Sequence, residues 1–438
     1  MRKLLTASLF ATTAILPALL TPAAAADATV TYWMWDGNQS PVYRQCADKF
    51  EAANPGVKVQ ISQDGWDNYW TKLTTGFTSG TAPDVFVNHI SRFPEFLANG
   101  VMEDLSGRIA ADKVDMSVYL PGLAESWNKD GKQWGLPKDW DTIAIFYNKK
   151  MVADAGVKEE DLANLDWNPN DGGSFEKALA KLSVDAKGKH GDQPGFDPKN
   201  VAVYGWSYDP PDGFGQQEFS HFAASAGFKA VDKPWGTKYF YDSPILAKTL
   251  TWLRDLSIVK GFSTNGEQVG RLGPSPLFAA GKIAMAPQGS WMLSTYRDNV
   301  KFAWGVAPLP KGPEGRKSMF NGLADSIWSG SKNKDAAWAW VKYLGSSECQ
   351  TIVGKAGVVF PARPEAVDAA VKAHQAKGID VSAFTLVAKP GSTFPYPIMD
   401  HGSEAYAILK TAVTNVLLNQ GDPAKILKDA NDEVNKLF

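Results

Sequence analysis

The chain has 438 residues, 44% hydrophobic and 21% charged, with a formal charge of −2, 39 Gly, 27 Pro and 2 Cys. That composition excludes collagen-like, disordered, disulfide-framework and multi-span membrane classes, and without a basic excess the chain is not expected to bind nucleic acid. Length suits two lobes, because a single core rarely grows past about 250–300 residues, and the 16 Trp residues call for a use beyond packing.

Met1-Arg2-Lys3, an apolar run from Leu4 to Leu20 broken by Pro17, and an Ala cluster to Ala26 read as a secretory signal peptide over residues 1–26. The first cysteine is Cys46, far from the expected cut, so a free exported protein in a Gram-negative periplasm is expected rather than a lipid-anchored one. Cys46 and Cys349 share that oxidising compartment. A disulfide and two separately buried thiols are both compatible with their apolar helical surroundings.

Residues 28–35 form a β-rich run, followed by Ser40-Pro41 as helix cap and first position. Val42, Tyr43, Cys46, Ala47 and Phe50 then share one helical face, ended by Asn54-Pro55-Gly56. Val57, Val59 and Ile61 alternate as a second strand, and Tyr69, Trp70, Leu73 and Phe77 mark a second helix closed by Gly80. A third strand runs from Pro83 to Val87 and exits at Asn88-His89. Strand, helix, strand, helix, strand predicts a parallel α/β sheet, whose ligands gather beyond the carboxyl ends of the strands.

The pattern restarts after Gly135-Leu136-Pro137, with a strand over 143–147, a helix over 175–182 and a strand over 201–206. Lys187 and Lys189 defeat a calcium-loop reading of the 185–197 hairpin, since they stand where oxygen ligands belong. A helix is predicted over 216–226, and the tail from Ser403 reads as two helices split by Gly421, with Asp422-Pro423 starting the second.

Templates for catalysis come out empty: no H-E-x-x-H, no G-x-S-x-G, no phosphate-binding G-x-x-x-x-G-K-[ST]. The five His residues lack metal-ligand spacing, so no cofactor or metal is expected. Stacking chemistry remains. A sugar ring offers an apolar face that Trp covers at little entropic cost, and a rim of hydroxyls that Asp, Asn and His can bond. Trp35-Asp36, Trp66-Asp67, Trp140-Asp141, Trp206 and Gly289-Ser290-Trp291 pair a ring with a carboxylate or a strand end. Trp33, Trp70, Trp252, Trp338 and Trp340 fall on strand or helix faces and are assigned to the core.

Phe278-Ala279-Ala280-Gly281-Lys282-Ile283-Ala284-Met285, continuing to Gly289-Ser290-Trp291, resembles the signature of bacterial extracellular sugar-binding proteins, the soluble receptors of ABC sugar importers. Phe50 to Val57, Ala82 to Val85, Gly135 to Pro137, Tyr147 to Lys149, Ala307 to Pro310 and Ser331 to Trp338 match other family segments in order. The resemblance implies a periplasmic binding protein fold: two α/β lobes, each a mainly parallel sheet flanked by helices, with the ligand cleft at the hinge. Lobe one is expected at 27–136 plus 285–345, and lobe two at 137–284 plus 346–438. It further implies a carbohydrate ligand, permease subunits as partners, a monomer, and binding without catalysis. Asp141 matches a sugar-binding carboxylate and Trp291 the stacking aromatic. Asn88 stands where relatives often carry Asp, with His89 beside it. Asn321-Gly322-Leu323 replaces a Gly-Gly-aromatic pattern, which implies that one stacking subsite is either lost or supplied elsewhere, by Trp206 or Trp140. Arg363 could reach the cleft, or serve as a salt-bridged hinge residue. A same-fold receptor for a non-sugar solute and a secreted glycoside hydrolase are the alternatives.

Overall fold

The computed structural model describes residues 28–438 apart from Arg271, Leu272 and Pro390, so the expected signal peptide at 1–26 lies outside the described residues. The strands in chain order begin with β1 (Ala28–Met34), β2 (Val57–Gln63), β3 (Val85–His89), β4 (Asn128–Lys129), β5 (Lys132–Gln133), β6 (Leu136–Asp141) and β7 (Ile143–Asn148). They continue with β8 (Val184–Asp185), β9 (Val201–Trp206), β10 (Ile283–Gly289), β11 (Trp304–Ala307), β12 (Ser318–Ile327), β13 (Phe360–Pro361) and β14 (Thr393–Pro395).

Two main sheets result. The first has the order β13-β6-β12-β3-β1-β2, with β14 added on β12; the second has the order β11-β7-β10-β9-β8. β1 pairs in parallel with β2 and β3, as the strand–helix alternation predicts. Neither sheet is mainly parallel, however. β12 runs antiparallel to both β3 and β6, and β7 runs antiparallel to β10 and β11. The reason is where the chain enters: β1 and β3 end at the cleft, whereas β12 and β7 arrive from the other lobe and start there. Only a crossover that carries the chain back to the starting edge gives a parallel neighbour.

The expected lobe limits shift with this topology. β6 belongs wholly to the first sheet, so the chain crosses at Thr142 rather than near residue 137. β10 and β11 pair in the second sheet, so the return falls between 307 and 318, not at 285. Helix Ser347–Ala356 packs with the first lobe, sharing a core with Val30, Tyr43, Phe50 and Trp340. There Cys46 and Cys349 form a disulfide, Cα atoms 5.3 Å apart, tying this helix to helix Ser40–Ala53. Among the described residues, no helix is long and apolar enough to cross a membrane.

Candidate functional site

A cavity of about 630 Å³ lies where the two sheets meet. Its first wall is aromatic. Trp35 follows the end of β1, and Asp36 turns the chain into the next helix by accepting the Asn38 N–H at 2.8 Å and Gln39 Nε2 at 2.8 Å. Trp66 opens helix Trp66–Ser79. Its ring meets Trp35, Trp70 and His89 nearly edge-on, with centroids 5.1, 5.2 and 5.3 Å away. Despite these neighbours Trp66 is 44% exposed. A large ring held rigidly by others, with a face left open, is a stacking platform.

The floor is polar. β6 and β12 place Asp141 opposite Asn321, and β12 with β3 places Leu323 opposite His89. Asn321 Nδ2 donates to Asp141 Oδ2 at 3.1 Å and lies 2.8 Å from His89 Nε2, while His89 Nδ1 is 2.8 Å from Ser91 Oγ. From the second lobe, Gln216 Nε2 donates to Asp141 Oδ1 at 2.9 Å. Burial, helped by the Arg92 charge, lowers the His89 pKa to about 3, so its imidazole is neutral at any physiological pH. Burial and then the Asp139 charge push Asp141 well up, against the pull of its two amide donors. Beneath the floor, Lys138 bonds Asp139 at 2.7 Å and Gln39 Oε1 at 2.6 Å. Burial disfavours the Lys138 charge, but Asp139, Tyr43 and Asp325 together outweigh it and the proton is held tightly.

The facing wall comes from the second lobe. Residues 209–218 loop around the cavity, with Asp209, Asp212, Phe214, Gln216 and Glu218 on it. Asp212 Oδ1 accepts the N–H groups of Phe214 and Gly215 at 2.6 and 2.5 Å. Asp209 accepts from Gln217 and, at 3.1 Å, from Gln288. Burial raises Asp209 to about 7, with the Asp212 charge adding to it. Trp291 follows β10 and Tyr406 stands on helix Gly402–Leu417, while Tyr396, just after β14 of the first sheet, also lines the cavity.

Of the residues expected from sequence, the structure brings Trp35, Asp36, Trp66, His89, Asp141, Trp291 and Asn321 to the cavity. Trp140 borders it, yet its ring is 2% exposed and stacks on Phe320 and Phe360, so it is a core ring. Trp206 is fully buried, edge-on to Phe175, on the inner face of β9. Asn88 alternates away from the cleft on β3, where its Nδ2 reaches Ser326 Oγ at 3.4 Å. Gly322 likewise faces the other way, toward Leu123. Asp67 is exposed in the first turn of its helix and does not line the cavity. Arg363 donates Nε to the Gly345 carbonyl at 2.8 Å and covers the Tyr119 ring, fixing the junction rather than facing the cleft. Phe214, Tyr396 and Tyr406 are further rings in the cavity lining.

Pro210-Pro211 reads as the start of a loop in the sequence, but residues 209–218 are not among the expected site residues, and Gln216 to Ala226 looks helical. The helix is shorter, Ser220–Ser225, and Gln216, Gln217 and Glu218 turn into the cleft before it starts. Asp212-Gly213, beside the Pro210-Pro211 already read as a loop, was the further signal that the acids here belong to an irregular segment.

The comparisons with known proteins agree with this architecture. The chain is 26% identical to the diacetylchitobiose-binding protein DasA of Streptomyces coelicolor, across 94% of this chain and 90% of that protein. The crystal structure of UspC from M. tuberculosis superposes with a TM-score of 0.73 at 27% identity, covering 94% of this chain and 100% of that one. The substrate-binding protein Lmo0181 of Listeria monocytogenes, solved with cycloalternan, gives a TM-score of 0.79 at 24% identity over 94% and 99% of the two chains, which speaks for the fold. Residues 45–378 match the profile of one family, and the chain belongs to it: the bacterial extracellular solute-binding proteins.

Proposed function

We propose that this protein captures a sugar, a glycoside or small oligosaccharide, between its two lobes and delivers it to the membrane permease of an ABC importer, acting as a free periplasmic monomer without chemistry of its own. The observation that carries the reading is the pairing of Trp35, Trp66 and Trp291 with polar groups across a single cleft of about 630 Å³. Rings cover the C–H face of a pyranose; Asp36, Asp141, Asn321 and His89 meet its hydroxyls. The relatives named above support it, DasA being a diacetylchitobiose-binding protein.

Closure follows from the same geometry. Trp35, Trp66, His89 and Asn321 belong to the first sheet's side, and Trp291, Gln216 and Tyr406 to the second's. A ligand touching both favours the closed arrangement by its differential affinity, as in the hinge closure of periplasmic binding proteins. Gln216–Asp141, Lys129–Asp400 at 2.7 Å and Ser403–Glu95 at 2.6 Å are contacts that such closure makes. The test is a thermal-shift screen of the mature protein against mono-, di- and trisaccharides, glycosides and polyols, with chromatography of every hit. The reading expects one or a few related sugars to raise Tm and to be recovered unchanged. Recovery of a hydrolysed product would establish a glycosidase instead.

A further inference from the structure

Lys138 breaks the pattern of β6. Consecutive residues of a regular strand point to opposite faces, yet Lys138 Nζ meets the carboxylate of the next residue, Asp139, at 2.7 Å. The pairing with β12 explains how. Leu323 and Ala324 are adjacent there but face Asp139 and Pro137, so Lys138 is an extra residue with no partner on β12. A bulge of this kind re-aims a side chain. The bulge is pinned from outside that pair of strands: the Lys138 carbonyl accepts Gln350 Nε2 at 3.0 Å and the Ala362 N–H at 3.2 Å. The Lys138 side chain is buried and does not line the cavity.

An ammonium donates and cannot accept. Here Lys138 donates to Asp139 and, at 2.6 Å, to Gln39 Oε1, while its head lies 4.3 Å over the Tyr43 ring. The Gln39 amide must therefore turn its oxygen to Lys138 and its Nε2 the other way, where it donates to Asp36 Oδ2 at 2.8 Å. The Gln39 backbone is held at the start of helix Ser40–Ala53, since its carbonyl accepts the N–H groups of Val42 and Tyr43. Asp36 Oδ1 takes the Asn38 N–H. Each Asp36 oxygen thus has a protein donor, which fixes the carboxylate and leaves lone pairs for the cavity that it lines. Asp139 lines the cavity too; burial pushes its carboxyl up, Lys138 pulls it back, and the Asp36 charge adds to the push. One ammonium behind the wall holds both acids, the first directly and the second through an amide. Packing does not demand it, because apolar residues of similar volume often replace a buried ion pair without loss of stability.

We infer that Lys138 is a positioning residue of the cleft: through Gln39 it sets the Asp36 carboxylate in the orientation that accepts a ligand hydroxyl. Lys138 touches no ligand itself. The inference rests on the sugar-capture reading above and deepens it, adding a residue that lies behind the cavity wall. Without the ammonium, the Gln39 amide is free to turn about its last torsion and present its oxygen to Asp36. Two acceptors then face each other, and the carboxylate loses its fixed direction.

The first readout needs no ligand. In the mature protein carrying isotope-labelled glutamine, the Gln39 side-chain amide is assigned in the NMR spectrum by its loss in Gln39→Met. Its protons should exchange with water about 10-fold or more slowly than those of an exposed glutamine, and Lys138→Met should abolish that protection. The second readout is a double-mutant cycle by calorimetric titration with maltotriose, cellobiose and N,N′-diacetylchitobiose, and with any further sugar that the thermal screen finds. For a sugar that binds, Lys138→Met should weaken affinity about 10-fold when Asp36 is present and no more than about 2-fold in an Asp36→Ala background. A merely structural role for Lys138 would cost the same in both. Should Lys138→Met fail to fold, Lys138→Met/Asp139→Asn, which leaves no carboxylate facing an empty partner, takes its place in both readouts. Equal losses with and without Asp36, or a Gln39 amide that stays protected, would overturn the inference and leave the sugar reading standing. If no sugar binds at all, the sugar reading falls and takes the hydroxyl-accepting role of Asp36 with it.

Discussion

Trp66 and Trp206 are both indoles at a strand or helix end, and only their surroundings tell them apart. Trp66 keeps an open face at the cleft, so Trp66→Ala should weaken sugar binding by about 0.5–1.5 kcal/mol, or roughly 2- to 13-fold in Kd, while changing unfolding free energy little. Trp206→Ala should do the reverse, destabilising the fold by about 3–5 kcal/mol because it empties a core site walled by Phe175 and Phe222. Titration calorimetry and urea unfolding on the two variants separate these effects. A ligand affinity that ignored Trp66→Ala would remove the stacking platform from the account. Residue type and neighbours in sequence made Trp35, Trp66 and Asp141 legible as site candidates. They could not show which way a side chain points. Asn88 and His89 are adjacent on β3, and the alternation of a strand sends one into the core and the other to the cleft.

Among the elements, β10 delivers Trp291 through Gly289. A Cβ at Gly289 would stand 1.9 Å from the Trp291 ring. Gly289→Ala should therefore displace that ring and weaken ligand binding severalfold, which calorimetry checks; unaltered affinity would show that Trp291 does not touch the ligand. The disulfide acts on another pair of elements, helices Ser40–Ala53 and Ser347–Ala356, across a sequence separation of 303. Replacing both cysteines by Ser should cost roughly 2–5 kcal/mol in unfolding free energy and leave ligand affinity unchanged, since the bridge lies in the first lobe's core away from the cleft. Helices with regular apolar faces, such as those at 40–53 and 423–434, were readable from periodicity. Strand direction was not, because β7 and β12 owe their antiparallel pairing to chain crossings between lobes, which no local pattern encodes. The end of the cleft loop, Gln216 to Glu218, hid for a related reason: Gln and Glu are good helix formers, and only tertiary contacts stop the helix from starting early.

For the molecule as a whole, the buried acids predict an unusual pH response. Asp209 and Asp325 sit at about 7, raised first by burial, and Asp141 and Glu218 are also raised well above ordinary carboxyls. An acid whose folded pKa exceeds its unfolded value binds its proton better in the native state. Stability is then lost as pH rises from about 4 through 7. Glu51, where burial is overcome by the Val59 N–H bond and the Arg44 and Lys58 partners to leave it at about 2, acts oppositely and loses its contribution only below about pH 4. The ligand-free protein should show its highest Tm near pH 5 and a lower one at pH 8, by differential scanning calorimetry; a Tm rising steadily to pH 8 would contradict the assigned burial.

Capture between two lobes, with no chemistry done, is the claim on which the rest depends. The most direct measurement is a calorimetric titration of the mature chain with its best stabilising sugar, repeated on the Trp35→Ala/Trp66→Ala double variant, with chromatography of the recovered ligand. The account predicts one sugar per chain, binding lost or severely weakened in the variant, and the sugar returned intact. A shortened sugar, or full affinity without the two rings, would contradict it.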